Sequence, residues 1–347
     1  MNLQKIIVTG GAGYIGSHTI VELIAAGYEP IIVDNYSNAD RSIISQIEKI
    51  TDTKVRHYEL DCNDLPAFRK VFETEKNILG SIHFAAAKAV GESVQNPLKY
   101  YHNNVHSLVN LLQLQLEFGI EYLVFSSSCT VYGQPEKLPV TEKSPIQKAN
   151  SPYGNTKQIC EDILNDIVAS KAKLKASSLR YFNPIGAHPS AMIGELPFGV
   201  PNNLVPFITQ TAIGLRDSLT IFGNDYDTID GTCVRDYIHV VDLAKAHVRA
   251  LDWLQSQEKT SINEAFNLGM GKGYSVLEIV QTFEKVNDVK LNYRLGERRA
   301  GDVVKIYGNV DKANRILKWQ TELGIETALK DAWQWQLQLK ETALVGE

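Results

Sequence analysis

Short apolar runs alternate with amphipathic segments through the first half of the chain. The runs at residues 5–9, 30–34, 55–61, 81–85, 122–127 and 176–180 predict six strands. Between them, apolar residues recur at helical spacing. Residues 17–26 form one such segment, closed by Gly27, and residues 64–75 place Leu65, Phe68, Val71 and Phe72 on one face. A longer helix is predicted over residues 98–118. Strand and helix in regular alternation imply βαβ crossovers of one hand, hence an α/β fold of Rossmann type, a doubly wound parallel sheet.

The regularity breaks at Asn183, where a stretch rich in Pro, Gly and Asn runs to Pro206 and is followed by shorter elements. This predicts a smaller C-terminal α/β lobe over the carboxyl edge of the sheet, with domains at residues 1–182 and 183–347. Residues 236–240 and the helical pattern at 241–254 read as one more αβ unit, so that residues 234–254 would return to the first domain.

Composition narrows the class. A chain of 347 residues that is 44% hydrophobic buries a sizeable core. A net charge of -5 without a long single-sign run argues against a nucleic-acid surface or a membrane anchor. The first strand begins at Lys5, which leaves no room for a cleavable signal sequence, and no apolar run is long enough to span a bilayer. Cys62, Cys129, Cys160 and Cys233 lack metal-ligand spacing. No metal site is expected, and the cysteines read as reduced thiols of a cytoplasmic protein.

Candidate chemistry enters with Gly10-Gly11-Ala12-Gly13-Tyr14-Ile15-Gly16, directly after a strand and before a helix. Without side chains the backbone approaches a pyrophosphate, which the helix N-terminal amides then receive. A plain tight turn is the alternative. The second strand ends in Asp34, placed for ribose hydroxyls and repelling a 2′-phosphate, which favours NAD over NADP. Ser126-Ser127-Ser128 closes the fifth strand, either as a simple turn or as hydroxyls facing the crevice. Tyr153 and Lys157 lie four apart on one helix face, so the ammonium is expected to lower the phenol's pKa towards neutrality. A tyrosinate beside a nicotinamide takes a proton from an alcohol while the hydride departs. Arg235 and Arg299 are either surface ion-pair partners or a clamp for an anionic substrate.

Glycine turn, serine strand end and YxxxK together resemble the extended short-chain dehydrogenase/reductase family, and within it the UDP-sugar 4-epimerases. The resemblance runs over nearly the whole chain, through residues 8–18, 88–94, 126–133, 180–184, 221–226, 234–240 and 298–302. It implies reversible epimerisation of UDP-galactose and UDP-glucose at C4, through a transient 4-keto sugar and hydride exchange with tightly bound NAD. By this resemblance Tyr153 removes the 4-hydroxyl proton, Lys157 holds the ribose, and Ser128 bonds the sugar oxygen. Gly10, Gly13, Tyr14, Ile15, Gly16, Asp34, Asn35, Asp61, Cys62, Phe84, Ala85, Lys88, Asn103, Ser126 and Tyr181 would line the cofactor. Asn183, Asn203, Leu204, Phe222, Arg235, Arg299, Asp302 and Ile306 would bind the UDP-sugar.

Ala86-Ala87 and His102 depart from the family pattern away from the chemistry. Ile306 falls where a Tyr narrows the sugar pocket and a smaller residue admits an N-acetyl group, which leaves a dual-specificity enzyme as an alternative. A dehydratase needs an acid-base pair just after Ser128, where this chain has Cys129 and Thr130. A non-catalytic NAD-binding sensor is a third reading. The resemblance also implies a homodimer through a four-helix bundle of residues 98–118 and 153–170, where Val105, Leu108, Leu112, Ile159, Ile163 and Ile167 either supply apolar contacts or face the sheet instead.

Overall fold

Strands covered on both faces need continuous apolar runs rather than alternation, and Ile6-Ile7-Val8 and Ile31-Ile32-Val33 are wholly buried in this way. A computed structural model describes residues 3–299 and 302–345. Ala300 and Gly301, within one of the stretches that carry the resemblance, lie outside the described residues. The strands are β1 (Lys5–Thr9), β2 (Glu29–Asp34), β3 (Arg56–Glu59), β4 (Ile78–His83), β5 (Tyr122–Ser126), β6 (Lys175–Tyr181), β7 (Asn183–Ile185), β8 (Leu219–Phe222), β9 (Val234–His239), β10 (Ile262–Leu268), β11 (Gly273–Ser275), β12 (Tyr293–Gly296) and β13 (Lys305–Ile306). The helices are α1 (Tyr14–Ala25), α2 (Ser42–Thr51), α3 (Leu65–Thr74), α4 (Val90–Gln95), α5 (Pro97–Tyr100), α6 (Ser107–Glu117), α7 (Pro152–Ala169), α8 (Leu204–Ala212), α9 (Val240–Gln255), α10 (Val276–Asn287), α11 (Asp311–Ile316) and α12 (Ile325–Val345).

Seven parallel strands form the large sheet in the order β10-β6-β5-β4-β1-β2-β3. One face is covered by α1, α2 and α9, the other by α3, α6 and α7. The order reverses between β1 and β4, which opens a crevice at the carboxyl edge. A second sheet is built on β9, which pairs with β7, β11 and β13, and β8 pairs with β12. α8, α10 and α12 pack with these strands around Ile208, Phe283 and Leu329. No helix among the described residues is long and apolar enough to cross a membrane.

Two local expectations need correction. The αβ unit expected to return to the first domain divides: β9 stays in the small sheet, while α9 packs on the large one and β10 becomes its seventh strand. The helix expected over 98–118 is continuous but contains a π-helical turn, Tyr101–His106. Of the two readings of residues 98–118, Leu108 and Leu112 take the second: both are buried against the sheet core.

The small sheet is tied to its loops by Asp236 on β9. Its buried carboxylate accepts the backbone N–H groups of Met270 (2.7 Å), Gly271 (3.1 Å) and Gly308 (3.3 Å). Burial pushes its pKa up to about 7. Asp236→Ala leaves three amides without their acceptor, and a stability loss of about 1–3 kcal/mol is expected. A urea midpoint equal to that of the parent would show that these amides find other partners.

Candidate active site

β1 is followed by Gly10, whose left-handed φ of +69° and N–H bond to Val33 O (2.8 Å) turn the chain sharply towards α1. Gly13, the residue that precedes α1, supplies no side-chain cap, so the amides of the first turn are left unshielded by any capping side chain. A Cβ on Gly13 would meet only Gly10 O, at 3.2 Å, and otherwise project into open space. Asp34, at the end of β2, accepts the Ala12 N–H at 3.0 Å and the Tyr36 N–H at 2.9 Å, locking the turn to the adjoining strand. Bare amides over a glycine floor beside a carboxylate at a strand end suit a dinucleotide's pyrophosphate and ribose.

The remaining cofactor candidates follow the same edge. Asn35 reaches Asp61 at 3.5 Å, and Cys62 is buried beside them. Phe84 packs on His247 just after β4, and the Ala85 backbone abuts Gly10. Tyr14 is less free than expected, because its hydroxyl donates to Gly186 O at 2.7 Å; Ile15 packs into the core. Asn103 sits on the π-turn and accepts from Asn63 at 3.2 Å. Its neighbour Asn104, which sequence reasoning passed over, is the structural member of the pair. It bonds both backbone groups of Ala87 (2.8 and 2.9 Å) and Thr156 Oγ1 (3.1 Å), pinning the loop after β4 to α7.

α7 is launched by Ser151, whose hydroxyl accepts the Gly154 N–H at 3.2 Å, with Pro152 in the first turn. This sets Tyr153 and Lys157 against the end of β5. Lys157 Nζ is buried and donates to Ser126 O at 2.7 Å. Ser126 Oγ bonds the Tyr181 hydroxyl, and Ser128 Oγ accepts the Thr130 N–H at 3.2 Å while also bonding Tyr153. Thr130 Oγ1 is buried and has no hydrogen-bond partner among the described residues.

The expected lowering of the Tyr153 pKa is not found. Burial raises the phenol well above its ordinary value, Tyr181 adds to this, and only the Ser128 bond opposes it. The Lys157 ammonium lies 5.9 Å from the Tyr153 ring centre and is committed to Ser126, while burial lowers its own pKa to about 8. Desolvation penalises both charges, so the phenol ionises near neutrality only when further positive charge enters the crevice.

On the substrate side the structure brings the two arginines together. Asp302 bonds Arg299 at 2.7 Å and lies 3.7 Å from Arg235, while the Arg299 guanidinium stands 5.8 Å above the half-exposed Phe222 ring. Ile306 pairs with Arg235 in register and is buried against Cys129, Val131 and Phe182. Asn183 opens β7, while Asn203 and Leu204 stand at the start of α8. Glu195 was absent from the sequence reading. Its carboxylate joins Asn203 (2.6 Å) to Lys88 (2.9 Å), linking a substrate candidate to a cofactor candidate.

Residues 7–332 match the family described as GDP-mannose 4,6 dehydratase. The chain is 50% identical over 333 residues to a UDP-glucose 4-epimerase of Dictyostelium discoideum, covering 96% of each. A UDP-glucose 4-epimerase from Bifidobacterium longum, solved with NAD+ and UDP, superposes with a TM-score of 0.93 at 42% identity, covering 96% of this chain and 98% of that one. A UDP-glucose 4-epimerase from Stenotrophomonas maltophila, with NAD and formylated UDP-arabinopyranose, gives 0.94 at 42%, covering 98% and 99%.

Proposed function

The chain belongs to the UDP-glucose 4-epimerase family, and on that premise we infer that it catalyses NAD-dependent 4-epimerisation of UDP-sugars, interconverting UDP-galactose and UDP-glucose. The observation that carries this reading is the convergence on one sheet edge of Tyr153, Ser128 and Lys157 with an uncapped glycine turn. NAD would be held by Gly10–Gly16, Asp34, Asn35, Lys88 and the residues around them, and when bound would supply the acceptor and donor of a hydride for C4 of the sugar.

The chain's own groups do the rest. Tyr153 Oη accepts the proton of the 4-hydroxyl and later returns it to the 4-keto oxygen, once the sugar presents its other face. Ser128, already bonded to Tyr153, holds the same oxygen. Arg235 and Arg299, gathered by Asp302, meet the diphosphate, so the nucleotide stays bound while the ketose turns over. Elimination lacks its acid-base pair here, because Cys129 and Thr130 stand where that pair would be and burial pushes the Cys129 thiol up to about 12.

Incubation with UDP-galactose without added NAD, followed by proton NMR, is expected to show UDP-glucose. No conversion, even after NAD is supplied, would remove the reading. The same assay on UDP-N-acetylgalactosamine tests the Ile306 pocket: Ile306 packs beside Cys129 without the bulk of a Tyr, which favours acceptance of the larger sugar. Undetectable turnover would exclude it.

We also propose a homodimer. Leu98, Val109 and Leu116 expose apolar side chains on α5 and α6, and sedimentation at a single chain's 38.7 kDa would refute this. A cytoplasmic location is supported by the four buried free cysteines, and fractionation placing the protein outside the cytoplasm would count against it.

A further inference from the structure

Behind the serine strand end lies a charged pair that the reaction as described does not use. Glu161, one helical turn beyond Lys157 on α7, is buried, and so is Arg180 on β6. Arg180 Nε donates to both Glu161 oxygens, at 3.0 and 3.2 Å, and Nη2 closes a second contact. Ser127 Oγ donates to the same carboxylate. Arg180 is itself braced on its far side: Nη1 donates to the Tyr132 hydroxyl at 3.1 Å, and that hydroxyl donates to Asn267 Oδ1 at 2.6 Å on β10.

We propose that Glu161, clamped by Arg180, is a positioning residue for epimerisation: it fixes the middle serine of the strand end and supplies a fixed negative charge one helical turn from the Lys157 ammonium. The inference rests on the reading of Tyr153 and Lys157 given above.

The geometry makes this charge consequential. The other ionisable groups facing Lys157 are Tyr153 and Cys160 on its own helix, His83 on β4, and Tyr181 beside Arg180 on β6. Burial raises Tyr153, Cys160 and Tyr181 and lowers His83 to about 3, so all four are neutral near pH 7. Glu161 and Arg180 are the ion pair nearest to these groups, and Glu161, after Cys160, opposes the lowering that burial imposes on Lys157. A buried pair of this kind is a poor source of stability compared with apolar packing.

Glu161→Gln removes the negative charge and leaves Arg180 positive. Lys157 should then lose its proton at lower pH, moving the alkaline limb of the kcat profile down by roughly one unit or more, with KM for UDP-galactose within about threefold of the parent. Glu161→Gln combined with Arg180→Gln removes both charges and is expected to bring the limb back towards its parental position. Ser127→Ala introduces no unpaired charge and is expected to fold. It should lower kcat roughly three- to tenfold without moving the limb. A parental limb in Glu161→Gln, or a loss of kcat that only follows the folded fraction, overturns the charge role; an unchanged kcat in Ser127→Ala overturns the clamp. Tyr153→Phe assayed alongside separates the two failures. If it too stays active, the site reading has failed; if it is inactive while Glu161→Gln and Ser127→Ala behave as the parent, only this inference has.

Discussion

Tyr153→Phe is expected to cut turnover of UDP-galactose by about a hundred- to ten-thousand-fold while NAD and UDP remain bound. The expectation follows from how little else at the strand end can take a proton. Ser128 is a hydroxyl with an ordinary alcohol's reluctance to ionise, the Cys129 thiol is pushed up to about 12, and the Lys157 ammonium is spent on Ser126 O. The phenol is removed without disturbing its surroundings, because the ring keeps its contact with Tyr100 and only the oxygen leaves. Binding should survive, since Asp34, Asn203 and the arginine pair are proposed to meet other parts of the ligands. Calorimetric titration with UDP alongside the NMR assay checks both halves. Turnover within about tenfold of the parent would move the base elsewhere, and loss of UDP binding would make Tyr153 a structural residue.

How much of this was legible in the chain depended on whether a signal was local. β1, the glycine turn and α1 are adjacent in sequence and legible, as is α7 with its Ser151-Pro152 start. β10 was missed because Ile262-Asn263-Glu264-Ala265-Phe266-Asn267-Leu268 is too polar to read as a covered strand. Asn267 is nevertheless fully buried there, satisfied by Val140 O at 3.0 Å and the Tyr132 hydroxyl at 2.6 Å, partners far away in sequence. The π-turn left no trace in the apolar spacing, since it inserts its extra residue where polar Asn103 and Asn104 stand.

Site residues divide in the same way. Glu161 stands four positions after Lys157 on one helix face, and a like-faced carboxylate behind a lysine proposed to serve the site was available as a signal. Its partner Arg180 was visible only as the start of a motif. Glu195 had no local signal at all, because Lys88 lies 107 residues before it and Asn203 stands across a loop. The Tyr153 pKa was misread for a related reason. Helical spacing brings Lys157 to the right face, but burial, which no spacing reports, decides which charges form.

Gly16→Ala is expected to lower the NAD retained on purified protein at least tenfold, with the fold kept. A Cβ built there meets Gly10 O at 2.3 Å and the Gly11 Cα at 2.8 Å. Both are backbone atoms, so no side chain can swing aside. Ordinary contact between such atoms is about 3.5 Å, which requires the end of β1 and the start of α1 to separate by roughly 1 Å. The amides that face the crevice from that first turn shift with it, and a misplacement of this size costs on the order of a hundredfold where several groups must meet one ligand. Gly91→Ala is the matched control, because its Cβ meets nothing within 4 Å and it lies on the exposed side of α4. Release of the nucleotide by acid and its measurement per chain, with circular dichroism to confirm folding, decides the matter. Parental NAD content in Gly16→Ala would mean that the turn is only a turn, and that the cofactor's pyrophosphate is held elsewhere along the sheet edge.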